Sequence, residues 1–221
     1  MRVLRDIEHD VRTEVARKLI HLTGILVPAI YYFVDRMFAL SVLIPLTVLA
    51  VAIDCARYSS TSFGNLFHAW VGPILRPHER ASGRRRLHAA TWFCVVSTLL
   101  VAAFPKYVAI MSLSILIFGD GTAALVGRRL GRHRIGHRSL EGSLAFLAAA
   151  LVVVGVTPRL EYRAGEYVIG AAGAVVGTIA ELLSGDTIED NVVVPLSVAA
   201  TLWLLYALMY PTIRLDHFGV R

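Results

Sequence analysis

The chain has 221 residues, of which 56% are apolar and 17% charged, and its formal net charge is +6. Soluble domains carry about 25% charged residues and have no need of repeated apolar runs near membrane length, so a soluble domain is excluded and an all-α polytopic membrane protein is expected. The positive charge does not point to nucleic acid, because it lies in short segments between apolar runs, the pattern of topology control and phosphate binding.

Residues 1–18 form a polar N-terminal segment of mixed acids and bases. Seven apolar segments follow, at 19–34, 38–53, 88–104, 107–127, 143–156, 167–183 and 192–210. They predict about seven transmembrane helices in a single integral membrane domain covering 1–221. Arg17, Lys18 and His21 open the first span (ARKLIHLTG), with Arg17 and His21 four apart on one helical face. They could reach a phosphate or a substrate hydroxyl, or serve as interface anchors and a satisfied histidine.

Between the second and third spans, the loop 54–87 contains an aromatic stretch at 62–75, interrupted by Gly72-Pro73, that reads as an interfacial piece. After it comes RPHERASGRRR, a basic surface suited to anionic headgroups. Cys55 and Cys94 lack metal-ligand spacing and read as small core residues.

The fourth span carries the first chemistry. Asp120 lies between Gly119 and Gly121 inside an apolar run. A carboxylate at membrane depth costs about 2.5–3.5 kcal/mol on insertion scales, so it usually faces an interior or a watery cavity and has a function. It can act as a Mg²⁺ ligand or as a base for a substrate hydroxyl. Paired with a buried arginine, it would instead be structural. The segment that follows, RRLGRHRIGHRSLEGS, holds five arginines and one glutamate. Gly127 and Gly131 mark the helix exit. Ser139 can cap the fifth helix, whose N-terminal N–H groups then bind anions, and Gly142 allows close backbone approach to a phosphate. Alone, a serine cap with Glu141 in the first turn would be ordinary helix chemistry.

Three glycines, Gly170, Gly173 and Gly177, give the sixth span a close-packing face. Its end is acidic: Glu181, Asp186, Glu189, Asp190 and then Asn191. If helical, Asp186 and Asp190 share a face, and Mg²⁺ takes one or two carboxylates plus phosphate oxygens. A solvated acidic loop is the plainer alternative.

Counting bases between spans fixes an expected orientation. The segments 1–18, 54–87 and 128–142 hold sixteen Lys and Arg, and the alternate segments hold six. By the positive-inside rule the N-terminus is cytoplasmic, and the acidic 184–191 loop lies on the same face as the arginines.

Taken in order, ARKLIHLTG, LRPHE, FGDGTAALVGRRLGRHRI, RSLEGS and ELLSGDTIEDNVVVP resemble the dolichol kinase/phytol kinase family of membrane enzymes. The resemblance runs from Arg17 to about Pro195, and the GD…ALVGR…G…LEGS block is its specific part. It implies CTP-dependent transfer of a phosphoryl group to an isoprenoid alcohol, a membrane lipid substrate. It further implies that Asp120, Arg128, Gly131, Glu141, Gly142, Asp190 and Asn191 line a CTP–Mg²⁺ site. One departure stands out: the family usually has a lysine before this element, whereas this chain has His137 and Arg138, and a point charge and a planar fork are not equivalent.

The expected mechanism places Mg²⁺ on Asp120, Asp186 and Asp190, with phosphates on Arg128, Arg138 and the start of the fifth helix. Asp120 or Glu141 then acts on the alcohol. Two alternatives stand beside it. A phosphatidate cytidylyltransferase shares a similar block, but its later D-R-x-D signature is replaced here by SGDTIEDN. A cation-coupled transporter relaying through Asp120 and Glu181 should have polar residues in both membrane halves. The compact length without a targeting extension suggests a prokaryotic plasma membrane. The partners expected are a nucleotide and a membrane lipid, with no nucleic acid. Oligomeric state stays open, a homodimer included.

Overall fold

The computed structural model describes residues 22–60, 62, 64, 67, 87–161, 163–184, 189–216 and 218. Arg17, Lys18, His21, Asp186 and most of the 62–86 stretch lie outside the described residues. The elements are α1 (Leu26–Phe33), α2 (Arg36–Ser59), α3 (Ala89–Ala103), α4 (Lys106–Leu130), β1 (Arg134–Ile135), β2 (Arg138–Ser139), α5 (Leu140–Val156), α6 (Ala164–Leu183) and α7 (Asp190–Met209). Each helix overlaps one of the seven apolar segments. Local chemistry sets several starts: Asp35 caps α2 by accepting from the Phe38 N–H at 2.9 Å, and Ser139 caps α5 by accepting from the Gly142 N–H at 3.2 Å.

Among the described residues, four helices are long and apolar enough to cross a membrane: Arg36–Arg57 within α2, and α4, α6 and α7. The chain is therefore an integral membrane protein. At 15 and 17 residues, α3 and α5 are apolar but shorter, and at 1.5 Å per residue they fall below a hydrocarbon thickness of about 30 Å. The small hairpin is an addition that helical periodicity did not predict.

The central helix is α4, which packs on α5 and also touches α1, α3, α6 and α7. Its close approach to α5 follows from sequence. Gly119, Ala123 and Gly127 recur every fourth residue on one face. A Cβ on Gly119 would fall 2.5 Å from the Phe146 ring, and one on Gly142 would fall 3.3 Å from the Gly127 Cα. Small residues at this spacing let backbones come near enough for continuous dispersion contact. The glycine face of α6 acts similarly, receiving Val154 at Gly170 and Val198 at Gly177. The packed middle contains Leu113, Leu116, Phe146, Ile169 and Leu202. By contrast α2 is peripheral; it packs mainly on α3 and leaves Val42, Ile44, Val48 and Leu49 exposed, the surface a lipid-facing helix presents. Cys55 is exposed on that helix and not part of the core.

Successive helices run in alternate directions, so polar ends collect at two levels. Away from the hairpin, Glu166 is fully buried and accepts from the backbone N–H groups of Leu160, Glu161 and Arg163 at 2.8, 3.1 and 3.0 Å. Buried Arg159 lies over the Tyr167 ring at 3.6 Å. Sequence reading placed the polar chemistry at one end only; this second buried group is a correction. Its cause is local, because the chain entering α6 turns under packed side chains and its N–H groups must find acceptors.

Candidate active site

At the opposite level, the second half of α4, the hairpin, the start of α5 and the end of α6 enclose a cavity of about 200 Å³, open at its mouth. Ala123, Ala124, Gly127 and Gly142 form its small-residue wall. Asp120 and Glu181 supply carboxylates, and Arg128, Arg134 and Arg138 supply guanidinium groups.

Arg138 reaches the cavity because the hairpin carries it there. Gly136 has φ +60°, the left-handed conformation open to glycine, and lets the chain reverse in two residues between β1 and β2. Two contacts fix the hairpin base. The Leu140 N–H donates to the His133 carbonyl at 2.9 Å, and Glu141 accepts from the His133 N–H while its Oε1 lies 2.8 Å from the His133 Nδ1.

From this position Arg138 bridges two helices. Its Nη1 lies 3.3 Å from Glu181 Oε1 on α6, and its Nη2 donates to Asp190 Oδ2 on α7 at 2.8 Å. Burial opposes the guanidinium charge, but the Glu181 and Asp190 carboxylates outweigh that and hold its pKa above the ordinary arginine value. Glu181 is 2% exposed and also accepts from Ser143 Oγ at 3.0 Å, which ties α5 to α6.

Several residues singled out from sequence stand elsewhere. Glu141, expected as a catalytic group, is not among the cavity-lining residues. Its carboxylate is committed to His133, and that contact, foremost, holds its pKa down to about 2. Asp190, expected on a metal, has Oδ2 on Arg138 and Oδ1 on the Asn191 N–H at 2.9 Å. Asn191, expected on nucleotide, is buried and donates through Nδ2 to the Ala89 carbonyl at 3.4 Å, joining α7 to α3. Gly131 packs against Ser139, where a Cβ would lie 2.8 Å from the serine Oγ. Asp120, Arg128, Arg138, Ser139 and Gly142 line the cavity together.

Glu181, Arg134 and His137 also line it, although sequence reasoning gave them no place in the main mechanism. The available signal for Glu181 was its position as an acid in the last turn of an apolar helix, the same logic that selected Asp120. A third group escaped notice. Asp54, 1% exposed near the end of α2, accepts from the His88 N–H at 2.8 Å and lies 3.0 Å from Arg57 Nε. His88 precedes Ala89, so this cluster adjoins the α3–α7 link made by Asn191.

Divalent-cation chemistry fits the cavity. Asp120 and Glu181 are hard oxygen donors on its wall, and Mg²⁺ typically uses one or two carboxylates with substrate phosphates completing the shell. Among the described residues no group of three His, Cys, Asp or Glu side chains could hold a metal unaided.

The chain is 30% identical over 190 residues to the uncharacterized protein RP860 of Rickettsia prowazekii, a match covering 85% of this chain and 92% of the relative. It belongs to the RP860 family. It is also 25% identical over 166 residues to CTP-dependent diacylglycerol kinase 1 of Schizosaccharomyces pombe, covering 69% of this chain and 74% of that kinase. With phytol kinase of a Synechocystis species it shares 35% identity over 141 residues, 59% of each chain. Relatives of this RP860-family chain thus include two lipid kinases by name. No family model and no solved structure matches.

Proposed function

We propose that the chain is a CTP-dependent lipid kinase that phosphorylates an isoprenoid alcohol of the phytol or polyprenol type. The observation that carries this reading is the cavity itself: Asp120 and Glu181 face Arg128 and Arg138 at one end of a bundle of apolar helices. Phosphoryl transfer needs little beyond positioning and charge stabilisation, and this set supplies both. The relative named as a CTP-dependent diacylglycerol kinase supports the donor, and the one named as a phytol kinase supports an isoprenoid acceptor.

In the proposed reaction Arg128, Arg134 and Arg138 bind the triphosphate, helped by the α5 N-terminus behind Ser139. Asp120 orients the lipid hydroxyl and takes its proton. The hydroxyl oxygen forms a bond to the γ-phosphorus, the bond from that phosphorus to the β–γ bridging oxygen breaks, and CDP leaves with the electron pair. Mg²⁺ would be held by Asp120 and Glu181, where it supplies neutralisation of phosphate charge. Glu141 holds the hairpin through His133 and is a positioning residue. The domain is proposed as one seven-span unit with this end and the N-terminus cytoplasmic, in keeping with the distribution of bases. The acceptor enters laterally from a prokaryotic plasma membrane.

The test is incubation of purified protein with γ-labelled CTP and a panel of phytol, geranylgeraniol, farnesol and diacylglycerol. The expected result is a labelled isoprenoid phosphate with stoichiometric CDP. Label on diacylglycerol alone would move the substrate class. Pyrophosphate release with a cytidylyl-lipid product would replace the kinase with the cytidylyltransferase chemistry.

A further inference from the structure

Arg138 joins the hairpin to α6 and α7 through ion pairs with Glu181 and Asp190. Its Nη1 faces Glu181, its Nη2 faces Asp190, and Ser184 Oγ accepts from Nη2 at the long distance of 3.4 Å. Yet it also lines the cavity where a phosphate would bind, and its side chain is 25% exposed. A guanidinium has five donors, but its fork presents them in one plane. A phosphate that engages Nη1 or Nη2 therefore shares the nitrogens that Glu181 and Asp190 hold. Asp120 adds a third carboxylate charge near the same guanidinium.

We infer that Glu181 and Asp190 set the affinity for the substrate's phosphates by competing with them for Arg138. This rests on the phosphate-binding reading of the cavity and deepens it. Without a bound polyphosphate, the two carboxylates hold Arg138 across the α6–α7 junction. A polyphosphate draws Arg138 towards the cavity, and Glu181 is left facing Asp120, two like charges that favour a cation between them. The carboxylates thereby weaken metal-free anion binding while serving the metal-loaded reaction. Two properties of one residue are thus set in opposition. Neutralising Glu181 or Asp190 improves binding of a polyphosphate in the absence of divalent cations, and neutralising Glu181 lowers turnover in their presence.

Ordinary charge repulsion would also improve anion binding when any nearby carboxylate is neutralised. The exchange idea differs in requiring Arg138. A double-mutant cycle separates the two.

The experiment measures equilibrium binding of inorganic tripolyphosphate, in EDTA, to purified full-length protein in nanodiscs. Wild type is compared with Glu181→Gln, Asp190→Asn, Arg138→Gln and each carboxylate variant combined with Arg138→Gln. Thermal unfolding of each variant checks that it folds, and Glu181→Gln and Asp190→Asn test the same point independently. The expected result is roughly tenfold tighter binding for Glu181→Gln and Asp190→Asn, the scale of a hydrogen bond to a charged group. That gain should shrink to less than about twofold in the Arg138→Gln background. Gains that persist without Arg138, or no gain at all, overturn the inference, as does a wild-type protein that binds no tripolyphosphate under any condition. A protein that shows the expected cycle but transfers no phosphoryl group from CTP overturns the kinase assignment and leaves this inference standing.

Discussion

The His133 Nδ1 lies 2.8 Å from Glu141 Oε1, so the one acid inside the basic loop is used to close that loop. The same carboxylate accepts from the His133 backbone N–H, which anchors the hairpin that delivers Arg138. Glu141→Gln should therefore raise the KM for CTP several-fold while changing kcat less, and His133→Ala should do the same. Steady-state kinetics with varied CTP checks this, and a complete loss of kcat in Glu141→Gln would return that residue to the chemical step.

This contact also carries a pH signature. The Glu141 carboxyl is held at about 2, below its ordinary 4.5. A depressed carboxyl contributes fully above its unfolded value, and the contribution disappears as pH falls through the folded one. Hydrogen-exchange protection of the Leu140 amide, which closes the hairpin base, should be flat from neutral pH to about 5 and decline only below about 4.5.

Asp120→Asn tests the proton acceptor. The substitution keeps size and removes basicity, so kcat should fall about 10²–10⁴-fold, and because Asp120 is also proposed to hold Mg²⁺, the Mg²⁺ concentration giving half-maximal rate should rise. Rapid-quench measurement of phosphoryl transfer in a folded variant distinguishes this from a binding defect.

Gly119→Ala tests the α4–α5 seam. The new methyl would fall 2.5 Å from the Phe146 ring, which is itself fully buried and has nowhere cheap to move. Overpacking of this kind costs about 1–3 kcal/mol. Adding Phe146→Leu should recover part of the loss, because neighbouring substitutions do not add. Thermal unfolding in detergent provides the readout for both.

Asp54→Asn probes the cluster beside the α3–α7 link. The change leaves Arg57 without its carboxylate partner in a site where Asp54 is 1% exposed. Breaking a buried pair by removing one charge costs about 3–5 kcal/mol, so a large drop in Tm is expected.

The seven apolar segments already mark the seven helices of the described residues, because burial in lipid or among helices demands a long apolar run. Asp120 and the arginine-rich loop were legible for the complementary reason: a carboxylate and a cluster of guanidinium groups are conspicuous against leucine and valine. Composition could not assign partners. Glu141 and Glu181 are both glutamates at the ends of apolar helices, and only the packing of α5 against α4 and α6 decides which faces the cavity. The same packing turns Asp190 and Asn191 towards Arg138 and Ala89. Which residues can form a membrane helix is decided locally, by the cost of exposing backbone and charge to hydrocarbon. Which side chains share a cavity depends on helix rotation, set by contacts between residues far apart in the chain, and on a local two-residue turn at Gly136.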